Sequence, residues 1–219
     1  MPCSSLAIHT LLRYINPNIK LFQGEFKLKE KLCWPGSAQL APVPAVLAGC
    51  GDGSVRNPYN LITIGWCGMV CSEPPMLGIG VRPERFSFGL IRRTGEFTIN
   101  LPTREMTETV DYCGVVSGKA IDKFKERNLT PVPGSQVKAP IVAECPIALE
   151  CRVNQTLELG SHWYFIADIL AVRVDPDLVD EQGKLDIEKA GLIAYAHGHY
   201  IETGSALGHF GFSIRKKIN

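Results

Sequence analysis

The sequence predicts a mainly β protein, a closed β-barrel with two or three short helices inserted between its strands. Three observations carry this. Residues 57–81 hold a single charge, Glu73, yet Gly65, Gly68, Gly78, Gly80 and the Pro74-Pro75 pair cut the run into pieces of strand length. Two long apolar-rich runs, Ala148 to Leu159 and His162 to Val174, are separated only by Gly160-Ser161, which is hairpin length. No strand–helix–strand unit of the required length appears early in the chain, which argues against a parallel α/β sheet.

The elements follow in order. Residues 1–27 read as an N-terminal extension, a poorly ordered arm, and residues 28–219 as the domain, whose patterned part starts near Trp34-Pro35. Residues 42–65 read as a hairpin, with Gly51-Asp52-Gly53 as its tight turn. Pro75 to Val81 is a further buried strand. From Glu84 the period turns helical: Phe86, Leu90 and Arg93 lie about a turn apart, Pro83 suits the first turn and Gly95 the end. Glu96 to Leu101 alternates as a strand. Thr103 can cap a helix that places Met106, Val110 and Cys113 on one face. Ile121 to Phe124 is a short helical piece, and residues 128–146 are a Pro-rich loop. After the long hairpin come a charged excursion, Asp175 to Lys189, and the short run Leu192 to Tyr195.

Composition removes several classes. Charged residues are 21% of the chain and the formal net charge is +1, so nothing draws it to nucleic acid or to a membrane surface. The apolar block is long enough to cross a bilayer, but the Pro-Pro pair, the glycines and Glu73 rule out such a helix. There are eight cysteines and no Cys-x-x-Cys pair, and the N-terminus lacks a signal-peptide pattern; reduced thiols in a cytoplasmic protein are expected.

Four motifs fail on their context. Gly49-Cys50-Gly51-Asp52-Gly53 lacks the third spaced glycine and opens no helix, so it is a turn and not a dinucleotide loop. Gly114 to Lys119 is one residue short of a P-loop, and Ala120 stands where Ser or Thr is needed. His197, His199, Cys67 and Cys71 lack the paired spacing of a zinc site, so no metal is expected. A serine hydrolase lacks its Gly-x-Ser-x-Gly elbow.

The segment Arg82-Pro83-Glu84-Arg85-Phe86-Ser87 is the positive signal. A helix start offers free N–H groups and partial positive charge, and Arg85 and Ser87 add a cation and a hydroxyl. Just upstream, Asn60, Thr63 and Trp66 bring polar groups and an aromatic plane into an uncharged stretch. A flat, hydrogen-bonding, phosphate-tailed ligand uses such parts together.

Four strings resemble the flavin reductase-like, FMN-binding split-barrel family, in particular its flavoredoxin group. They are Asn60-x-x-Thr63-x-x-Trp66; Arg85-x-Ser87 before Leu90 to Phe97; Asn100-Leu101-Pro102; and Asp111-Tyr112-Cys113-Gly114 through Ser117-Gly118 to Asp122-Lys123-Phe124. The likeness spans about residues 34–200. It implies a homodimer of split β-barrels with FMN near the subunit interface. It places Asn60 and Trp66 along the flavin, Arg85 and Ser87 at the phosphate, Lys123 as a cationic contact, His162 at the ring or phosphate and Tyr195 as an aromatic neighbour, with Thr63, Ile64 and Ser117 as weaker carry-overs. The implied function is an FMN-dependent oxidoreductase needing no catalytic acid. A non-enzymatic FMN electron carrier reduced by a partner redox protein is the alternative, and a Cys/His metal-redox protein a third reading. No dedicated NAD(P)H motif separates a nicotinamide donor from a redox-protein donor.

Overall fold

The computed structural model describes residues 30–214, so the expected 1–27 arm lies outside the described residues. The chain divides after Ala38, and the unit Gln39–Asn219 carries all the elements below.

The strands are β1 (Val43–Pro44), β2 (Val46–Cys50), β3 (Asn60–Ile64), β4 (Cys67–Ser72), β5 (Pro75–Val81), β6 (Glu96–Leu101), β7 (Pro131–Pro133), β8 (Pro140–Val142), β9 (Ile147–Leu159), β10 (His162–Val174), β11 (Ile193–Ala196) and β12 (His199–Glu202). The α-helices are α1 (Phe86–Thr94), α2 (Thr107–Val115) and α3 (Lys123–Glu126). The main sheet runs β3-β2-β6-β9-β10-β5-β4, and its pairs are antiparallel. Its two outer strands, β3 and β4, are joined by Gly65 and Trp66 alone. So short a link cannot separate the two edges of an open sheet, because extended chain covers only about 3.3–3.6 Å per residue. The sheet therefore closes on itself. β3 and β4 act as one bent stave that pairs with β2 over its first half and β5 over its second. The barrel is split at that bend. The Gly80 N–H donates to Trp66 O at 2.8 Å, carrying the β4–β5 pairing up to the bend.

Burial explains the apolar runs. Val46, Ala48 and Cys50 of β2 point into the barrel core with Ile62, Ile64, Leu77, Ile79, Phe97, Phe165 and the α1 residues Leu90 and Ile91. Ala45, Leu47 and Leu61 point the other way, into a second cluster with Val110, Cys113, Phe124 and Ile193. β2 and β3 are thus covered on both faces, which removes the alternation expected of a half-exposed strand. β6 alternates cleanly. Phe97 and Ile99 face inward, while Thr98 and Asn100 face β8: Asn100 Nδ2 donates to Leu47 O at 3.0 Å and its Oδ1 accepts from Val142 N at 2.9 Å.

Glu150 of β9 is a fully buried carboxylate. It accepts from the Gln136 N–H at 2.6 Å, Ser135 Oγ at 3.0 Å, Val137 N–H at 3.3 Å and Arg173 Nε at 3.0 Å. Burial alone raises its pKa; the Gln136 and Ser135 backbone donors, Arg173 and the Ser135 hydroxyl outweigh that and bring it down to about 2. This side chain pins residues 135–137 of the Pro-rich stretch to the barrel, as Asn100 and Thr98 pin β8.

Most expected elements fall where the pattern places them. β5, β6 and β10 have the predicted limits, and Gly95 ends α1 at φ 67°. Four details differ. The block 57–81 holds three strands, not two buried ones, because β4 lies between them with Met69 and Val70 exposed. Gly51 and Gly53 have the expected positive φ, but the turn they belong to spans residues 51–59, held by Asp52 accepting from Ser54 N and Asn57 Nδ2. Pro83 lies before the α1 N-cap, Arg85. The Pro-rich loop contains the β7–β8 ribbon. Among the described residues no helix is long and apolar enough to cross a membrane.

Candidate functional site

The bent stave and α1 meet at one hydrogen bond. Asn60, first residue of β3, donates from Nδ2 to Ser87 Oγ at 2.7 Å; both side chains are buried. The start of α1 is unusual for a helix in what it lacks. Its N-cap, Arg85, makes no side-chain cap bond, and the first turn holds no acid. The first amides of α1 therefore keep the donors that a helix start leaves free, beside a guanidinium and a hydroxyl.

A hollow of about 170 Å³ opens here, lined by Asn60, Ile62, Arg85, Ser87, Ser117, Gly118 and Lys123 among others. A second, of about 440 Å³, is lined by Ile62, Thr63, Ile64, Trp66, Arg85, His162 and Tyr195, with Gly80 and Arg82. Ile62 and Arg85 line both. All ten residues expected from the sequence thus line one or other of two adjoining hollows. A larger hollow, about 540 Å³, lies on the far side of Gly118 around Tyr59, Lys119 and Asp122; it contains none of the ten.

Several of these side chains are fixed by the fold. Lys123 is buried, and its Nζ donates to Leu61 O and Cys113 O, each at 2.7 Å. Burial holds its pKa below the usual lysine value, and the Arg85 charge acts in the same direction. Two of its three N–H groups are committed to carbonyls, so it braces β3 against α2 as well as facing the hollow. Thr63 Oγ1 donates to Val110 O, a second tie between the same elements. Ser117 is exposed and its Oγ accepts from Lys119 N at 3.3 Å. Gly118 packs against Asn60 so closely that a Cβ there would sit 1.8 Å from Asn60 Oδ1.

At the other end, the Trp66 and His162 rings stack, centroids 4.8 Å apart and 8° from parallel. Trp66 remains 54% exposed, so one of its faces is open. Burial, and then the Arg82 charge, lower the His162 pKa, which keeps the ring neutral at pH 7. β3 has a free edge on this side. The Leu61 carbonyl leaves the β2 ladder to meet Lys123. In an antiparallel strand the outward-facing backbone groups alternate, so the N–H and C=O of Thr63 point the same way.

Sequence reasoning missed Ile62, Gly80, Arg82 and Gly118 as lining residues. Gly118 carried a signal, the Ser-Gly break after a helix. Arg82 opens the Arg82–Ser87 segment and Gly80 ends the glycine-cut run, but neither was given a site role; Ile62 is an apolar residue with no pattern of its own.

Residues 39–204 match the flavin reductase like domain. The chain belongs to the flavin reductase-like family. Among solved structures, this flavin reductase-like fold superposes on a flavoredoxin of Desulfovibrio vulgaris (Miyazaki F) with a TM-score of 0.79 and 31% identity, over 85% of this chain and 100% of the other. A flavoredoxin from Methanosarcina acetivorans gives a TM-score of 0.76 and 32% identity over 85% and 100%. An uncharacterized protein of Archaeoglobus fulgidus is 33% identical over 69% of this chain and 84% of its own length.

Five thiols, Cys50, Cys67, Cys113, Cys145 and Cys151, are held protonated by burial. The described cysteines are all unpaired. Burial pushes Cys50 up to about 11 and Cys67 to about 12, and raises Cys113, Cys145 and Cys151 as well. Among the described residues no three His, Cys, Asp or Glu side chains converge as a metal site.

Proposed function

We propose that the protein binds FMN and acts as an FMN-dependent oxidoreductase of the flavin reductase or flavoredoxin type. The observation that carries this is the α1 start: no side-chain cap, no acid in its first turn, Arg85 at its cap and Ser87 Oγ aligned by Asn60, with Glu84 of the same hollow paired to Arg82 at 3.7 Å. The hollow there fits a terminal phosphate. The adjoining, larger hollow along the β3 edge fits a flat ring system.

Bound FMN supplies the electron chemistry at its ring. The chain's own residues do the rest. Arg85, Ser87 and the first amides of α1 hold the phosphate, with Lys123 contributing positive charge from below. Thr63 offers backbone donor and acceptor to the ring's polar edge. Trp66 and Tyr195 cover apolar area and exclude water. His162, neutral and stacked on Trp66, limits the opening without adding charge.

Two chains are expected to pair as a homodimer. Met69 and Val70 of β4, Leu157 and Leu159 of β9, and Val172 of β10 are exposed large apolar side chains on the outside of the barrel. The free thiols suit a reducing compartment such as the cytoplasm.

The test is the visible spectrum of the purified protein and an FMN titration; absence of flavin absorption together with no FMN binding sinks the reading. The likeness to two flavoredoxins favours a second reading, a carrier reduced by a partner redox protein. Anaerobic stopped-flow mixing of the FMN-loaded protein with NADH and with NADPH separates the two. Rapid bleaching marks a reductase, and bleaching only with a partner marks a carrier.

A further inference from the structure

A further hollow opens at the Gly65–Trp66 bend. It measures about 310 Å³ and is lined by Ala45, Thr63, Trp66, Asp111, Tyr195 and Tyr200, with glycines and Val115 between them. Thr63, Gly65, Trp66 and Tyr195 line both it and the proposed ring hollow, so the two adjoin. The flavin reading gives this further space no role.

Its chemistry is specific. The Tyr195 and Tyr200 rings meet at 63° with centroids 5.5 Å apart, making two walls of a corner, and Trp66 stands at the same hollow. Tyr200 donates its O–H to Asp111 Oδ1 at 3.2 Å. That bond ties the carboxylate to the aromatic corner, and Asp111 is exposed, so its charge stands at the mouth of the hollow, open to a ligand. Among the described residues Asp111 forms no ion pair, and no Lys, Arg or His lines the hollow. Burial, followed by the Asp111 charge, raises the Tyr200 pKa to about 12, so the phenol keeps its proton and remains a donor.

We infer that the hollow framed by Trp66, Tyr195, Tyr200 and Asp111 binds a small organic cation of the alkylammonium class. Aromatic faces carry negative quadrupole density and attract a diffuse cation, and the carboxylate adds a full opposite charge. An anion meets repulsion from both. A neutral molecule of the same shape gains neither term. The volume lies at the low end for small-molecule sites, which selects a compact ligand over a dinucleotide or a peptide. Shared walls place that ligand beside the proposed flavin, where a substrate of a redox protein belongs. The cation site rests on the hollow alone; only its standing as a substrate site rests on the flavin reading.

The experiment is calorimetric titration of the full chain with choline and with its neutral isostere 3,3-dimethylbutan-1-ol. Choline is expected to bind saturably and the alcohol not to bind. Asp111→Asn keeps the shape and removes the charge, and is expected to weaken choline by roughly tenfold or more while leaving FMN affinity unchanged. No saturable choline binding, equal binding of the alcohol, or an unaltered choline affinity in a folded Asp111→Asn chain overturns the inference. The choline-against-alcohol comparison on the unsubstituted chain decides it even where the variant misfolds. A chain that binds choline but not FMN retains the cation site and loses the flavin reading.

Discussion

Asn60 and Ser87 lie 27 residues apart in sequence and are joined by a buried hydrogen bond of 2.7 Å. The bond ties the first residue of β3 to the first turn of α1, and so links the strand bordering the proposed ring hollow to the helix facing the proposed phosphate hollow.

Ser87→Ala removes the proposed phosphate donor and leaves the Asn60 amide without its partner. A buried unsatisfied amide costs about 1–3 kcal/mol, so the melting temperature is expected to fall. FMN affinity is expected to fall by roughly tenfold to a hundredfold, as for the loss of a hydrogen bond to a charged group. Flavin titration and a thermal melt of the same sample check both.

Gly118→Ala acts on the same bond from the other side. The new Cβ would sit 1.8 Å from Asn60 Oδ1, and the Asn60 amide must turn away from Ser87. FMN affinity is expected to drop to a level comparable with Ser87→Ala. The double variant should show little further loss, because both changes break one contact. A double-mutant cycle measured by flavin titration gives the answer, and full additivity contradicts the shared mechanism.

Glu150 makes stability depend on acid. Its folded pKa, about 2, lies below the ordinary 4.5, so its contribution is complete above the ordinary value and is lost as pH falls toward 2. The shift corresponds to about 3 kcal/mol at neutral pH. Urea unfolding between pH 6 and pH 2 should show this loss. Glu150→Gln should be less stable at pH 6 and show a shallower acid slope, since it cannot titrate.

Cys50 and Cys67, raised to about 11 and 12, remain thiols at neutral pH. Iodoacetamide at pH 7 should leave both unlabelled in the folded protein and label them after unfolding in urea, as read by peptide mass spectrometry. Cys67→Ser should bind FMN as the parent chain does.

The barrel was legible wherever one rule acted alone. β6 alternates because only its inner face meets the main core, and α1 shows a start and a stop because Arg85 and Gly95 flank it. β4 was illegible because Met69 and Val70 are apolar yet exposed, and composition alone assigns such residues to the interior. The β7–β8 ribbon hid behind its prolines; it is held by Glu150 and Thr98, which act from strands far along the chain. The ten site residues came from separate strings, and the fold brings them to two adjoining hollows. What no string disclosed was the load on their polar atoms. Thr63 and Lys123 are engaged with backbone carbonyls of Leu61, Val110 and Cys113, and such bonds depend on how α2 lies across β3.

The free edge of β3 carries a consequence for handling and for the cell. An unpaired strand edge is a template for any other extended chain, and sheets normally protect such edges with charges, prolines or covering loops. Here Lys123 covers one carbonyl, and the rest of the edge lines the ring hollow. A ligand seated there does two jobs: it stabilises the folded chain by mass action and it withdraws an adhesive surface from its neighbours. Colloidal stability of this protein should therefore track cofactor supply, with freshly synthesised, unloaded barrels being the species most prone to self-association.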